Sequence, residues 1–284
     1  MDEHLNDQTM DELQAGQVAL ELEGKEPQQV LAWAVARFGR QLGICSGLQA
    51  EGCALIDMAW RIDPAIRVFT IDTGRLPEET HDLIARIRDR YGIKIEVFLP
   101  EATKVEAMVQ RHGSNLFRES VDLRLLCCQV RKVLPLRRAL LNYQAWVTGL
   151  RRDQSVTRAN FPRIEIDRDH GGIVKLSPLI DWTERDVWDY VRRNEVPYSA
   201  LYDKGYKSIG CAPCTRPVSE GEDPRAGRWW WESGAPKECG MHCAIESGSL
   251  QQKTAAVLGA NGCSEDLADT DRDGSTADHG PAQR

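Results

Sequence analysis

Long apolar runs are missing from this chain of 284 residues, and no stretch approaches the roughly 20 residues that a membrane-crossing helix needs. Also missing is the charged-then-apolar pattern of a secretory signal, because residues 1–27 hold eight acids and one base. There is no basic stripe with interleaved aromatics, and the six histidines show no zinc-finger spacing, so a nucleic-acid module is excluded. The expectation is a cytoplasmic protein with no membrane and no nucleic-acid partner. Homo-oligomerisation stays open at this level.

Cysteine occurs in the wrong number for an exported scaffold: nine residues, an odd count, in a long chain. Disulfide frameworks belong to short secreted chains, so reduced, metal-bound or catalytic thiols are expected instead. With 42% hydrophobic and 28% charged residues the composition is that of an ordinary globular protein, which points to one main domain with tails. The net charge of −7 hides an asymmetry. Residues 1–27 carry −7 and residues 245–284 carry −4, which leaves +4 on the stretch between them. A basic core favours an anionic small substrate, although basic residues equally make a solvated face.

Met10 to Glu23 suits a short helix, and Val30, Leu31, Ala34, Val35 and Phe38 recur at helical spacing over 28–38. Gln41 to Cys45 is a short apolar run that ends in Ser46-Gly47, with a helix predicted from Ala50 to Ala59. A strand, a small-residue turn and a helix N-terminus form a place where backbone N–H groups meet phosphate, although many α/β proteins have such a turn without a ligand. Arg67 to Ile71 is the next strand, ending in Asp72-Thr73-Gly74; Pro77 opens a helix to Tyr91, and Ile93 to Leu99 alternates as a third strand. This order predicts an α/β fold, a mostly parallel twisted sheet flanked by helices, with ligands at the carboxyl ends of the strands.

Glu101 to Arg111 looks helical. A further helical stretch from Val121 to Asn142 carries Cys127 and Cys128, with Pro135 expected to kink or divide it. Adjacent thiols on a helix point about 100° apart, so both reach one object only if it is large or the helix is distorted there. Gln144 to Thr148 is another strand, and the Gly149, Arg151 and Arg152 that follow are well placed for a nucleotide phosphate, although Arg152 equally suits the surface. Arg163 to Ile166 and Ile173 to Leu176 form a hairpin across Gly171-Gly172, and Asp181 or Thr183 caps a helix to Arg193. Past Ile245 the composition turns to Ser, Gly, Asp and Thr, and disorder is expected.

The stretch from Lys207 to Cys243 concentrates the chemistry. It holds the CxxC of Cys211 and Cys214, an arginine pair at Arg225 and Arg228, and Cys239 beside Gly240 and near His242. Four thiols, Cys127, Cys128, Cys211 and Cys214, suit a metal cluster or a structural zinc, which leaves Cys239 as a candidate nucleophile. Cys45 and Cys53 read as buried small apolar residues.

Taken together, Cys127-Cys128, Cys211-x-x-Cys214 and Glu238-Cys239-Gly240-Met241-His242 resemble the assimilatory adenylyl-sulfate (APS) reductases, relatives of the PAPS reductases within the adenine nucleotide α-hydrolase-like, PP-loop related fold. The resemblance runs from about Gln41 to His242 and takes in IDTGRLPEET (71–80), GLRRDQS (149–155) and RAGRWWWE (225–232). Composition marks off an acidic extension over 1–27 and a disordered tail over 245–284, and between them the expectation is a single reductase domain over 28–244 whose catalytic segment is 215–243. The resemblance implies reduction of APS to sulfite and AMP by thioredoxin through a Cys239 S-sulfonate, in sulfate assimilation and cysteine biosynthesis.

By the same resemblance one 4Fe-4S cluster is held by Cys127, Cys128, Cys211 and Cys214; Lys132, Arg158, Arg225 and Arg228 grip the phosphosulfate; and Ser46, Gly47, Gly149 and Arg151 hold the nucleotide. A free thiol has a pKa of about 8.5, so Cys239 needs a protonated His242, a helix terminus or nearby arginines to be ionised. Two alternatives remain: a PAPS reductase, with room for a 3′-phosphate, and a zinc-stabilised nucleotide-binding regulator in which Cys239 does no chemistry. Trp229, Trp230 and Trp231 fit a core, a lid or a thioredoxin-docking face.

Overall fold

The computed structural model of the chain describes residues 10–233, 237–238, 240–241 and 254. The expectation for the tail therefore falls outside the described residues, Thr254 apart.

Six strands form one sheet: β1 Leu42–Cys45, β2 Arg67–Ile71, β3 Ile95–Phe98, β4 Ala145–Val147, β5 Ile164–Asp167 and β6 Ile173–Leu176. Their order is β3-β2-β1-β4-β6-β5, parallel throughout except for the edge strand β5, which runs antiparallel to β6. The mostly parallel α/β expectation holds. The predicted hairpin is present, and its turn is closed by Gly171 and Gly172, both at positive φ. The third strand is shorter at both ends than its alternation suggested.

Strand alternation sends successive side chains to opposite faces. Ile44, Val68 and Val147 enter the larger core, whereas Cys45, Phe69 and Trp146 enter the other. On the larger side pack α1 Glu12–Glu21, α2 Pro27–Phe38, α3 Ala50–Ile62, α4 Glu78–Tyr91 and, late in the chain, Glu184–Arg193. The predicted helix starts have physical grounds: Asp11 forms a reciprocal capping box with Gln14 on α1, and Pro27 stands in the first turn of α2. Beyond α5 Ala102–His112, a third apolar cluster gathers around α6 Val121–Cys128.

The helical stretch expected over Val121 to Asn142 is divided, as Pro135 led one to expect. α6 stops at Cys128, a π-helical turn spans Gln129–Val133, and α7 Leu134–Leu140 follows and packs on β2 and β3. Pro135 explains the break. It has no N–H to give to residue 131 and its ring crowds that carbonyl, so the chain widens just before it. The widened turn carries Arg131 and Lys132 toward the carboxyl ends of β1 and β2, immediately after the cysteine pair. The last helix, α8 Glu184–Arg193, is capped by Thr183, whose hydroxyl accepts from the N–H of Asp186.

β1 has β2 on one side and β4 on the other, so the connections leaving the carboxyl ends diverge between β1 and β4. Such a divergence opens a crevice in doubly wound sheets. No helix among the described residues is long and apolar enough to cross a membrane.

Candidate active site

A cavity of about 470 Å³ occupies this crevice, walled by the turn after β1, the loop after β4, the π turn and, later in the chain, Lys207 to Gly210, Pro224, Arg225, Arg228, Trp229, Glu238 and Met241. Of the sequence-predicted substrate residues, Ser46, Gly47, Lys132, Gly149, Arg151, Arg158, Arg225 and Arg228 all line it. They come from stretches as much as 182 positions apart in sequence.

The turn after β1 is built tightly. The Ser46 hydroxyl accepts from the N–H of Leu48 at 3.1 Å, and Leu48 takes φ 56° to complete the turn. A Cβ on Gly52 would stand 2.4 Å from Ser46 Oγ, so only glycine lets α3 come this close to its own turn. Gly149 has the same function opposite, where a Cβ would meet Glu51 Cβ at 2.9 Å. The first N–H of α3, on Ala50, donates to the Tyr202 hydroxyl, and Gln49 Oε1 accepts from the N–H of Ile209. The later chain is thus fastened to the helix N-terminus that forms one wall.

The arginines are paired with acids that the sequence reading left unassigned. Arg151 donates from Nε and Nη2 to Glu51 Oε1 at 3.1 and 3.0 Å and from Nη1 to Asp153 at 3.0 Å. Arg158 grips the Glu238 carboxylate with both Nε, at 3.1 Å, and Nη2, at 2.8 Å; Arg225 lies 3.5 Å from the same group and Thr157 donates to it at 3.2 Å. Burial alone would raise the Glu238 carboxyl, but the hydrogen bond and charge of Arg158, with the charge of Arg225, outweigh it and hold the group below its usual value. Arg228 lies flat against the Gly210 backbone, and its Nε is buried with no hydrogen-bond partner among the described residues. Arg152 is a surface residue paired with Asp181.

A signal for these acids was present. Glu51 stands in the first turn of a helix, and Glu238 directly precedes the candidate nucleophile. Local patterns do not say which arginine each acid meets. Cys239 and His242, the predicted catalytic pair, lie outside the described residues, as do Cys243 and Cys263.

Cys127, Cys128, Cys211 and Cys214 are all buried in the third apolar cluster, together with Trp229, Phe117 and Met108. Cys211 Sγ is 3.2 Å from the Thr73 hydroxyl, which ties the CxxC to the end of β2, and Thr73 O accepts from Arg131 Nη1 at 2.8 Å. The expectation of an iron–sulfur, metal-binding protein is corrected here. Among the described residues no group of three or more His, Cys, Asp or Glu side chains could hold a metal ion, and Cys127, Cys211 and Cys214 are free thiols. The physical reason is the apolar surroundings. Burial raises the Cys127 thiol and pushes Cys214 up to about 12, so among these apolar side chains the neutral thiol is favoured. The structural-zinc alternative meets the same finding. Cys45 and Cys53 are likewise buried thiols pushed up to about 12 by burial. Of the three tryptophans, Trp229 is core, Trp231 packs on Phe117 at 5.9 Å, and Trp230 is 40% exposed.

Comparison with known proteins places this geometry. The profile of the phosphoadenosine phosphosulfate reductase domain matches residues 44–217. An adenosine 5′-phosphosulfate reductase of Allochromatium vinosum is 50% identical over 197 residues, covering 69% of this chain and 77% of that protein. One from Burkholderia cepacia is 52% identical over 197 residues, 69% of this chain and 78% of its own length. Another, from Pseudomonas aeruginosa, is 44% identical over 230 residues, covering 79% of this chain and 85% of that protein. Among solved structures, a phosphoadenylyl-sulfate reductase of Candida auris in complex with phosphate superposes with a TM-score of 0.63 at 29% identity, covering 74% of this chain and 99% of that one.

Proposed function

The chain belongs to the phosphoadenosine phosphosulfate reductase domain family, and on that premise we propose that it reduces adenosine 5′-phosphosulfate to sulfite and AMP with electrons from thioredoxin. The observation that carries this reading is the convergence of Arg158 and Arg225 on one pair of carboxylate oxygens, in a cavity that Lys132 and Arg228 also line. Two guanidinium groups spaced to share one carboxylate can equally grip pairs of oxygens on a tetrahedral phosphate or sulfate. The residue they hold, Glu238, is bonded to Cys239.

In the proposed reaction the Cys239 thiolate attacks the sulfur of the phosphosulfate. The bond from that sulfur to the bridging oxygen breaks, AMP leaves with the electron pair, and Cys239 carries an S-sulfonate. A thioredoxin thiolate then attacks Cys239 Sγ and releases sulfite; the second thioredoxin thiol resolves the mixed disulfide and restores the Cys239 thiolate. Two electrons pass from the dithiol to sulfur. The negative substrate and the thiolate repel each other, and Lys132, Arg158, Arg225 and Arg228 offset that repulsion, each charged hydrogen bond contributing about 1.5–3 kcal/mol. The turn at Ser46-Gly47 and the loop at Gly149 seat the nucleotide. His242, three positions further along the sequence, is the group assigned to supply positive charge to Cys239. Buried free thiols suit a reducing compartment, and the cytoplasm is the setting assigned.

The test is mass spectrometry of the anaerobically purified protein after exposure to adenosine 5′-phosphosulfate without thioredoxin. One added SO₃ group on Cys239, absent from Cys239→Ser and removed by reduced thioredoxin, is the expected result. An adduct formed only with the 3′-phosphorylated nucleotide would make this a PAPS reductase; no adduct with either would leave a nucleotide-binding regulator.

A further inference from the structure

Glu238 is 6% exposed, and its carboxylate receives both donors of the Arg158 fork, sits 3.5 Å from Arg225 and accepts from Thr157. Of these groups, Arg158 and Arg225 are the ones that the reductase reading assigns to the substrate's phosphosulfate. Two anions cannot take the same Arg158 donors, and a phosphosulfate placed beside an unmoved carboxylate would meet like charge at close range in a buried site. We propose that Glu238 is a positioning residue that stands in for the substrate's anion, so that carboxylate and phosphosulfate compete for Arg158 and Arg225. The inference rests on the reductase reading and deepens it.

The main chain beside this carboxylate has its own anchor. Arg124, fully buried on α6, donates from Nη1 to the Glu238 carbonyl at 2.5 Å. Its Nε and Nη2 hold Glu232 at 3.0 Å each, and its guanidinium lies 4.4 Å from the ring of Trp229. The carbonyl is therefore fixed while the carboxylate turns about its own side-chain bonds. Arg225 grips this segment twice, through the Lys237 carbonyl and the Glu238 carboxylate. An anion that takes Arg225 accordingly loosens the chain on the amino side of Cys239, and arrival of the substrate becomes linked to the freedom of the nucleophile's neighbour. The depressed carboxyl pKa of Glu238 fits a group that is held ionised in this pairing.

The competition is measured by calorimetric titration of the full chain with adenosine 5′-phosphosulfate in a Cys239→Ser background, where no turnover occurs. Glu238→Gln, which keeps the shape and removes the charge, is expected to bind about tenfold more tightly, since the binding-competent state no longer has to be freed from an internal competitor. Glu238→Asp, whose carboxylate is drawn back by one methylene, is expected to tighten binding by a smaller factor, and it serves alone should the Gln variant not fold. With Cys239 intact, Glu238→Gln lowers KM while kcat falls or stays level. Weaker or unchanged binding in both variants would overturn the proposal and make Glu238 a structural strut. If the wild type forms no S-sulfonate, the reductase reading fails by itself; if the S-sulfonate forms and Glu238→Gln binds no tighter, only this inference fails.

Discussion

Two buried carboxylates, Asp57 and Glu238, show how one interaction is used in two ways. Asp57 is fully buried on α3, where it accepts from the hydroxyls of Tyr91 at 3.0 Å and Tyr190 at 2.6 Å and from Arg61 Nε at 2.8 Å. These donors sit on α4, α8 and α3 itself, so the carboxylate joins three helices on one face of the sheet. Burial and the nearby Asp57 push both tyrosine hydroxyls above their usual range, so they remain neutral donors. Glu238 is nearly as buried, but its donors are arginines that line a cavity. The tyrosine donors to Asp57 lie in a packed core, whereas the arginines that hold Glu238 face a cavity. A carboxylate is structural or exchangeable according to what else its donors face.

The comparison predicts opposite mutant behaviour. Asp57→Ala strands two buried tyrosine hydroxyls and is expected to cost about 3 kcal/mol of stability, read from urea unfolding. A loss under about 0.5 kcal/mol would remove the contrast with Glu238. Next in size, Arg158→Ala is expected to weaken substrate binding by about 2 kcal/mol, roughly 30-fold in calorimetric affinity, with unfolding moved far less than by Asp57→Ala. Equal losses of affinity and stability would make Arg158 a core residue.

Gly52→Ala tests the close approach under the β1 turn. The added methyl, 2.4 Å from Ser46 Oγ, forces the turn apart and is expected to cost about 1–2 kcal/mol together with nucleotide affinity. Wild-type melting and AMP binding would show that the turn opens freely. The smallest effect is in pH. The folded Glu238 carboxyl lies below the ordinary value of 4.5, so its contribution to stability is complete above that value and is lost as pH falls through the folded pKa. The difference in unfolding between wild type and Glu238→Gln should therefore be constant above about pH 5 and close in acid. A difference that persists to pH 3 would assign the effect to shape.

Much of the fold was legible because its signals are local. Apolar strands followed by helices at Ile44 and Val68 announced a parallel sheet, and Asp181 or Thr183 announced a helix start that the structure gives to Thr183. Pro135 told where a helix would fail, but the π turn that turns Lys132 to the cavity depends on how α7 packs against β2 and β3. In the site, Ser46, Gly149 and the arginines were visible as a strand-end turn and a basic motif. The arginines' pairing with Glu51 and Glu238 was not, because the partners lie 100 and 80 positions apart.

By itself the sequence determined the order of elements, the parallel character of the sheet, the phosphate-type turn after β1 and the family that the cysteine and arginine motifs resemble. Each depends on neighbours within a few residues, where spacing and backbone chemistry decide the outcome. Only the tertiary structure decided that β4 lies beside β1, that four thiols share one apolar cluster where burial raises Cys127 and Cys214, and that Glu238 occupies the arginines of the cavity. Those outcomes depend on distance and dielectric between groups far apart in the chain, which come into being only when the chain closes on itself.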